Sequence, residues 1–305
     1  MTSSRYLGVS FLKGCIQLAE VEHGKTAQVT VLAERETSID FVQAGVNLSP
    51  DHPQLRTFVT ELGDTMKQHK ISTAHISFAV PAEPVFINII PVDNSLKGPE
   101  LGQYLQWEVE QYFPSLQPKE FVMSSQELPE TKTKNRQLFV VCVRRGMVGF
   151  LQKTAAELKL KLHLVDIDHF STEKTLLHNY PEVLVHPVVL FGLRYGGVDA
   201  SLVSNSAMTD YRAFTATSPD EMKKAIQTYL KYLKERNSVK TPSALFLHGN
   251  EIPKDLPKTL HSETGIQCVA MNSVRKLAAS PKLYKPLVQE SYRFAAAIGL
   301  ALRKA

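Results

Sequence analysis

Asp166 and Asp168 form an Asp-Ile-Asp at the end of an apolar strand. Strand alternation places both carboxylates on one face, a pairing that can hold a metal ion or share acid and base roles. The competing expectation is a solvated strand end, or a cap for the following "STEK". Other chemistry-bearing residues are dispersed. The 10 histidines show no metal-ligand spacing, and no Ser-His-Asp or Cys-His arrangement can be assembled. Cys15, Cys142 and Cys268 are odd in number and far apart. They form neither a metal site nor a disulfide framework, which suits a reducing cytoplasm.

The glycine-marked bends at Lys13-Gly14 and Gly196-Gly197 are more informative. "YLGVSFLKGCIQLAEVEHGKTAQVTVLAERE" reads as an apolar strand, a tight bend, a second strand and a third beginning near Gln28. "VVLFGLRYGGVDASLVSNSAMTDYRAF" repeats that design, and such an internal echo decides architecture more firmly than any single motif. Paired hairpins of this kind can grip the phosphates of ATP. The task requires an acid to orient hydrated Mg²⁺ and small residues that let backbone N–H groups approach an anion. The first bend instead presents Ser10, Phe11 and Leu12.

The elements around these bends are legible. "QLRTFVTELGDTMKQHK" places Leu55, Phe58, Val59 and Leu62 at helical spacing, and "TAHISFAV" reads as a buried strand. Between the hairpins lies a β-α-β-β-α unit. It comprises "PVFINIIPV", a helix from Pro99 stopped by Pro114, "EFVMSSQEL", the turn "PETKTKN", "RQLFVVCVRR" and "GMVGFLQKTAAELKL". On its first helix, Leu101, Tyr104, Leu105, Val109 and Tyr112 form an apolar stripe, while Trp107, the only tryptophan, points away. Trp107 is therefore either a contact anchor or packed on a neighbouring subdomain. After the second hairpin come a helix with Ile226, Tyr229, Leu230 and Leu233 on one face, "SALFLHG", "IQCVAMN" and the small-residue helix "ESYRFAAAIGLALRK".

Bulk properties exclude several classes. At 305 residues, 43% hydrophobic and 21% charged, the chain is an ordinary globular protein large enough for two lobes. The net charge of +5 is mild and no aromatic-interleaved basic groove is present, so no nucleic-acid role is expected. Lys223, Lys224, Lys231, Lys234 and Arg236 share one helical stretch. A solvated face explains them more simply than an anionic partner. No apolar run approaches the roughly 20 residues of a membrane helix, and no secretory leader is expected.

The order of five strings resembles the PilM family of type IV pilus assembly proteins, relatives of FtsA and of the cytoplasmic part of GspL. They are "LGVSFLKGCIQLAEV", "VEQYFP" with "SSQEL", "LFVVCVRRGMVGFLQKTAAELKLKLHLVDID", "LFLHGNEIPKDLPKTL" and "AAAIGLALR". The resemblance implies an α/β, actin-like ATPase (ribonuclease H-like) fold. Residues 1–82 and 160–186 would form the first lobe, 83–159 an inserted subdomain, and 187–305 a reduced second lobe lacking the lid.

On the family pattern, Ser10 stands at the acid position, Leu12 at the phosphate-loop glycine and Gln17 at the lysine. Gly192 and Arg194 stand at the acid and glycine of the second loop. Gly249 is retained in the adenosine motif, while Asn250 replaces its second glycine. These departures predict a pseudo-ATPase with no catalytic residue, no metal and no cofactor. Lys13 and Arg194 remain candidates for holding a metal-free anion, against the simpler expectation that both point to water.

The family further implies a cytoplasmic scaffold, attached to the inner membrane through a partner. That partner would be a PilN-like membrane protein of a pilus or related type II secretion complex, whose short cytoplasmic N-terminal peptide docks between the insertion and the first lobe. Val85, Ile87, Ile89, Tyr104 and Trp107 are the candidate liners. A pilus assembly motor ATPase and other copies of the chain are further expected partners. The alternative reading is an active actin-like ATP-binding protein or a polymer former.

Overall fold

The computed structural model describes residues 4–113, 117–128, 135–236 and 241–304. Pro114 and positions 129–134 of the "PETKTKN" turn lie outside the described residues.

The first hairpin folds as expected: β1 (Ser4–Leu12) and β2 (Cys15–His23) are joined at Lys13-Gly14, and β3 (Ala27–Glu36) follows. Then come α1 (Phe41–Ala44), α2 (Leu55–Gln68) and β4 (His75–Val80). Asp40 caps α1 by accepting from the amides of Val42 and Gln43. Phe11, Phe41, Phe58, Phe78 and Phe150 meet in one core, with the Phe11 and Phe41 rings stacked at 3.7 Å.

The insertion holds β5 (Phe86–Val92), α3 (Gly98–Tyr112), β6 (Phe121–Glu127), β7 (Arg136–Arg144) and α4 (Arg145–Glu157). Its sheet runs β5-β7-β6, with both outer strands at free edges. Helix α3 covers one face through Leu105 and Val109, which pack with Ile90, Val92, Leu138 and Val140. Tyr112 departs from the expected stripe. It is 55% exposed at the helix end, beside the Phe86 ring at 5.0 Å, and its hydroxyl accepts from Asn88 Nδ2 at 2.9 Å. Helix α4 closes the unit in sequence, yet buries Met147, Phe150, Leu151 and Ala155 in the first lobe's phenylalanine core.

The chain returns through β8 (Lys161–Ile167) and α5 (Asp168–Asn179). The second lobe contains β9 (Val188–Arg194), β10 (Gly197–Ser204), β11 (Ala207–Thr215), α6 (Pro219–Glu235), β12 (Ala244–Gly249), α7 (Leu256–Thr264) and β13 (Gln267–Ala270). Ser218 accepts from the Glu221 amide and Pro219 opens α6, a start that needs no tertiary help. Tyr229 lies fully buried on its apolar face, whereas Leu230 is half-buried.

The internal echo is exact in topology. The large sheets run β3-β2-β1-β4-β8 and β11-β10-β9-β12-β13, with the first three strands of each antiparallel and the rest parallel. The expected boundaries follow chain order rather than packing. The terminal elements β14 (Ala278–Ala279), α8 (Lys285–Gln289) and α9 (Ala295–Ala301) leave the second lobe, and β14 pairs with β3 at the edge of the first sheet. On α9, Ala297, Ile298 and Ala301 pack with Tyr6, Ala19 and Val21 of the first lobe. Within residues 187–305, assigned by sequence to the second lobe, β14 and much of α9 thus pack on the first lobe, while Ala295 packs with Val188, Leu190 and Phe246 of the second. The helix is wedged so tightly that a Cβ on Gly8 would strike the Ala297 carbonyl, and one on Gly299 that of Ser171. Conversely, Leu176 of α5 packs with Val188, Leu190 and Phe246 of the second lobe.

No helix among the described residues is long and apolar enough to cross a membrane.

Candidate functional site: the lobe junction and the grooves beside the insertion

The two hairpin bends face each other across the junction. Lys13 Nζ sits 3.5 Å from the centroid of the Tyr195 ring, a cation–π contact. Behind them Ser10, Leu12, Gln17, Leu193, Gly249 and Asn250 line a cavity of about 30 Å³. A space of this size accommodates a water-sized group, and the branched Leu12 stands at its wall.

Arg194 fills the centre of the junction. Its Nη1 lies 2.9 Å from Glu83 Oε1 and its Nε 2.9 Å from Asp199 Oδ2, while Nη2 donates to Asp199 Oδ1 at 3.1 Å. Tyr211 donates to the same Oδ1 at 2.6 Å. Burial opposes the guanidinium charge, but Asp199, Glu83 and Asp168 outweigh it and raise Arg194 above its ordinary value. Glu83 is shifted up by burial, a shift that Arg194 partly offsets. For Arg194 both expectations, an anion held with Lys13 and a side chain pointing to water, are corrected, whereas Lys13 is exposed as the simpler one has it. Two carboxylates occupy the guanidinium, while the exposed ammonium rests over the half-exposed Tyr195 ring.

Gly192 has no room for a side chain. A Cβ there would sit 2.7 Å from His248 Nε2 and 3.0 Å from His169 Nδ1. The two imidazoles meet at 3.1 Å, with His169 Nε2 2.9 Å from Ser201 Oγ. Burial, then Arg194, lowers His169 to about 3, and burial also pushes His248 well below its usual value. The pair is thus neutral at physiological pH and occupies the space an aspartate would need. Gly249, at φ 103°, is fixed by close contact with the Leu193 carbonyl, a structural requirement independent of any adenosine.

The Asp-Ile-Asp resolves differently from either expectation. Asp166 pairs with Arg303 at 2.7 Å and accepts from Ser171 Oγ. Asp168 starts α5, so alternation ends at Ile167. Asp168 lines the junction cavity, where burial first and the Asp199 charge second push its carboxyl up to about 8. Among the described residues, no group of three or more His, Cys, Asp or Glu side chains is arranged to hold a metal ion. His169, His248, Glu83 and Asp199 carry no motif. Only the three-dimensional fold brings Glu83 to a partner 111 positions away.

The peptide-docking candidates divide between two sides of the insertion. Val85, Ile87 and Ile89 line a groove of about 870 Å³ between the edge strands β5 and β11, together with Glu83 and Arg212. Tyr104 and Trp107 lie on α3, with ring centroids 6.2 Å apart and Trp107 54% exposed. Residues on β6, β7 and α4, and on β8, line another groove, of about 830 Å³, between the insertion and the first lobe. Val141, Val148, Leu164 and Phe170 form apolar walls there, and Asp166, Glu173 and Arg303 line it too. Among the described residues both β6 and β8 are edge strands, so rows of backbone N–H and C=O groups border this groove without ladder partners there.

The family described as type IV pilus assembly protein PilM matches residues 13–190, more than half of the chain. The chain belongs to this family. Across the whole PilM-family chain, similarity extends to a solved structure described as a PilM-PilN type IV pilus biogenesis complex. That match has 18% identity and a TM-score of 0.79, and covers 98% of each chain. The ethanolamine utilization protein EutJ from Carboxydothermus hydrogenoformans is also similar in fold, at 10% identity and a TM-score of 0.52, covering 99% of this chain and 90% of that one. No match is found among curated proteins. The two-lobe architecture of this PilM-family chain is the actin-like ATPase fold.

Proposed function

We propose that this PilM-family chain is a cytoplasmic scaffold of a type IV pilus or related secretion complex, and that it neither hydrolyses ATP nor requires a cofactor. It is held at the inner membrane by a PilN-like protein, whose extended cytoplasmic peptide lies in the groove between β8 and the insertion. The observation that carries this reading is the pair of strand edges bordering that groove. An extended segment gains backbone hydrogen bonds from an edge while alternate side chains enter apolar pockets such as that of Leu164 and Phe170. The solved PilM-PilN complex, similar in fold, supports the choice of partner.

The loss of ATP chemistry rests on the Arg194 ion-pair cluster and the small junction cavity. Fluorescence anisotropy with the labelled N-terminal peptide of the neighbouring PilN-like protein tests the docking role, and failure to bind at micromolar protein would sink it. Phosphate release from Mg·ATP at a rate that Arg194→Ala abolishes would sink the non-hydrolysing part.

A further inference from the structure

The junction cavity is built from polar groups whose bonding is incomplete. Ser10 is 2% and Gln17 0% exposed, and the two are cross-strand partners on β1 and β2. Directly opposed side chains project to the same face. Ser10 Oγ and both amide atoms of Gln17 make no hydrogen bond among the described residues, nor does Asn250 Oδ1. All three residues line the same cavity of about 30 Å³ with Asp168. Leaving such groups buried and unpaired is unfavourable, so each points to an occupant.

The charge inventory narrows the chemistry. Three carboxylates, Glu83, Asp168 and Asp199, approach one guanidinium. Glu83 and Asp199 are engaged by Arg194, and the nearby Arg293 is engaged by Glu34 and Glu290. Asp168 accepts from the His169 amide at 2.7 Å, and none of the ion pairs among the described residues includes it. Asp168 is thus the carboxyl of the three that lacks an ion pair, and in its ionised form, beside the oxygens of Ser10, Gln17 and Asn250 in the same cavity, it suits a single positive charge. A divalent ion would call on more carboxylates or keep several waters, for which the cavity has no room.

We propose that the junction binds one desolvated alkali-metal cation, held by Asp168 and the side-chain oxygens of Ser10, Gln17 and Asn250. Hard oxygen donors replace the hydration shell of such ions in other proteins. The cation takes up the Asp168 charge and satisfies the acceptors that the two lobes bring together. The site belongs to the closed junction, independently of any pilus partner.

The test is thermal unfolding of the full chain in potassium or sodium chloride against choline chloride at equal ionic strength. A ligand bound only by the folded state raises the midpoint with its concentration. Expected is a midpoint a few degrees higher in an alkali salt, and loss of that difference in Asp168→Asn. Equal midpoints in all three salts would overturn the proposal and leave a water molecule as the occupant. Because Asp168→Asn can disturb folding, crystals of the unmodified chain grown in rubidium chloride give a second readout. An anomalous peak between Asp168 and Gln17 supports the site, and its absence at full rubidium concentration overturns it.

Discussion

Glu83, on the loop leaving β4, and Arg194, at the end of β9, meet at 2.9 Å across the boundary between the lobes. With Asp199 on the other side of the guanidinium, this contact ties the connection into the insertion to the second-lobe hairpin. Arg194→Ala is expected to destabilise the fold by about 3 kcal/mol, because it leaves the buried Asp199 carboxylate with only the Tyr211 hydroxyl and Glu83 without its cation. Glu83→Gln should cost less, since Asp199 still engages the arginine. Urea unfolding of both variants checks the order, and an Arg194→Ala change below 1 kcal/mol (about the value of an exposed pair) would remove the latch from the account.

Restoring the family's acid is expected to fail. Gly192→Asp must displace the His169–His248 pair, and overpacking of this kind costs about 1–3 kcal/mol. Isothermal titration should give no Mg²⁺-dependent ATP heat for the unmodified chain or for this variant, and tight binding by either would contradict the closed junction.

Stability should decline as pH rises from 6.5 to 8 in choline chloride. Asp168 titrates near 8 when folded against an ordinary value of 3.8. In that interval the folded chain binds the extra proton, so its stabilising effect is complete at low pH and lost through the folded value. The slope approaches about 1.4 kcal/mol per pH unit. Glu173, raised to about 7 chiefly by burial, acts with the same sign in the lower part of the interval. His169 acts oppositely, but only below 6.5, where the unfolded imidazole takes a proton that the folded one refuses. Asp168→Asn should flatten the alkaline limb, leaving the contribution of Glu173. Denaturant midpoints at pH 6.5, 7.5 and 8.5 measure it.

Peptide affinity should separate the surfaces of the insertion. Leu164→Glu introduces a charge into the β8 groove and is expected to weaken peptide binding at least about tenfold, or 1.4 kcal/mol. Tyr104→Ala with Trp107→Ala lies on the far face of the sheet and should leave it unchanged. The reverse pattern in anisotropy titrations would move the peptide to α3.

The two lobes were legible because their strands are short apolar runs broken by glycine at turns, a purely local signal. Trp107 was legible for a related reason, since helical angle alone carries it off the apolar face. Tyr112 was not. Phe86 covers only part of its ring from another strand, and periodicity on α3 carries no information about that neighbour. Arg194 was read from its loop position, whereas its behaviour depends on Glu83 and Asp199, which no spacing connects to it. The same limit applies to Gly192, where the histidines that exclude a side chain come from α5 and β12. The docking candidates Val85, Ile87 and Ile89 were recognised as apolar, but which groove they line depends on how β5 sits against β11.

The wedge formed by α9 bears on how the chain is made. Ala295–Ala301 fill a slot beside β1, β2 and β4, strands synthesised more than two hundred residues earlier. On the ribosome the N-terminal sheet must therefore remain uncovered along that flank until residues 295–301 have been made. Guarding this exposed flank falls to chaperones or to transient contacts in the interval before α9 emerges.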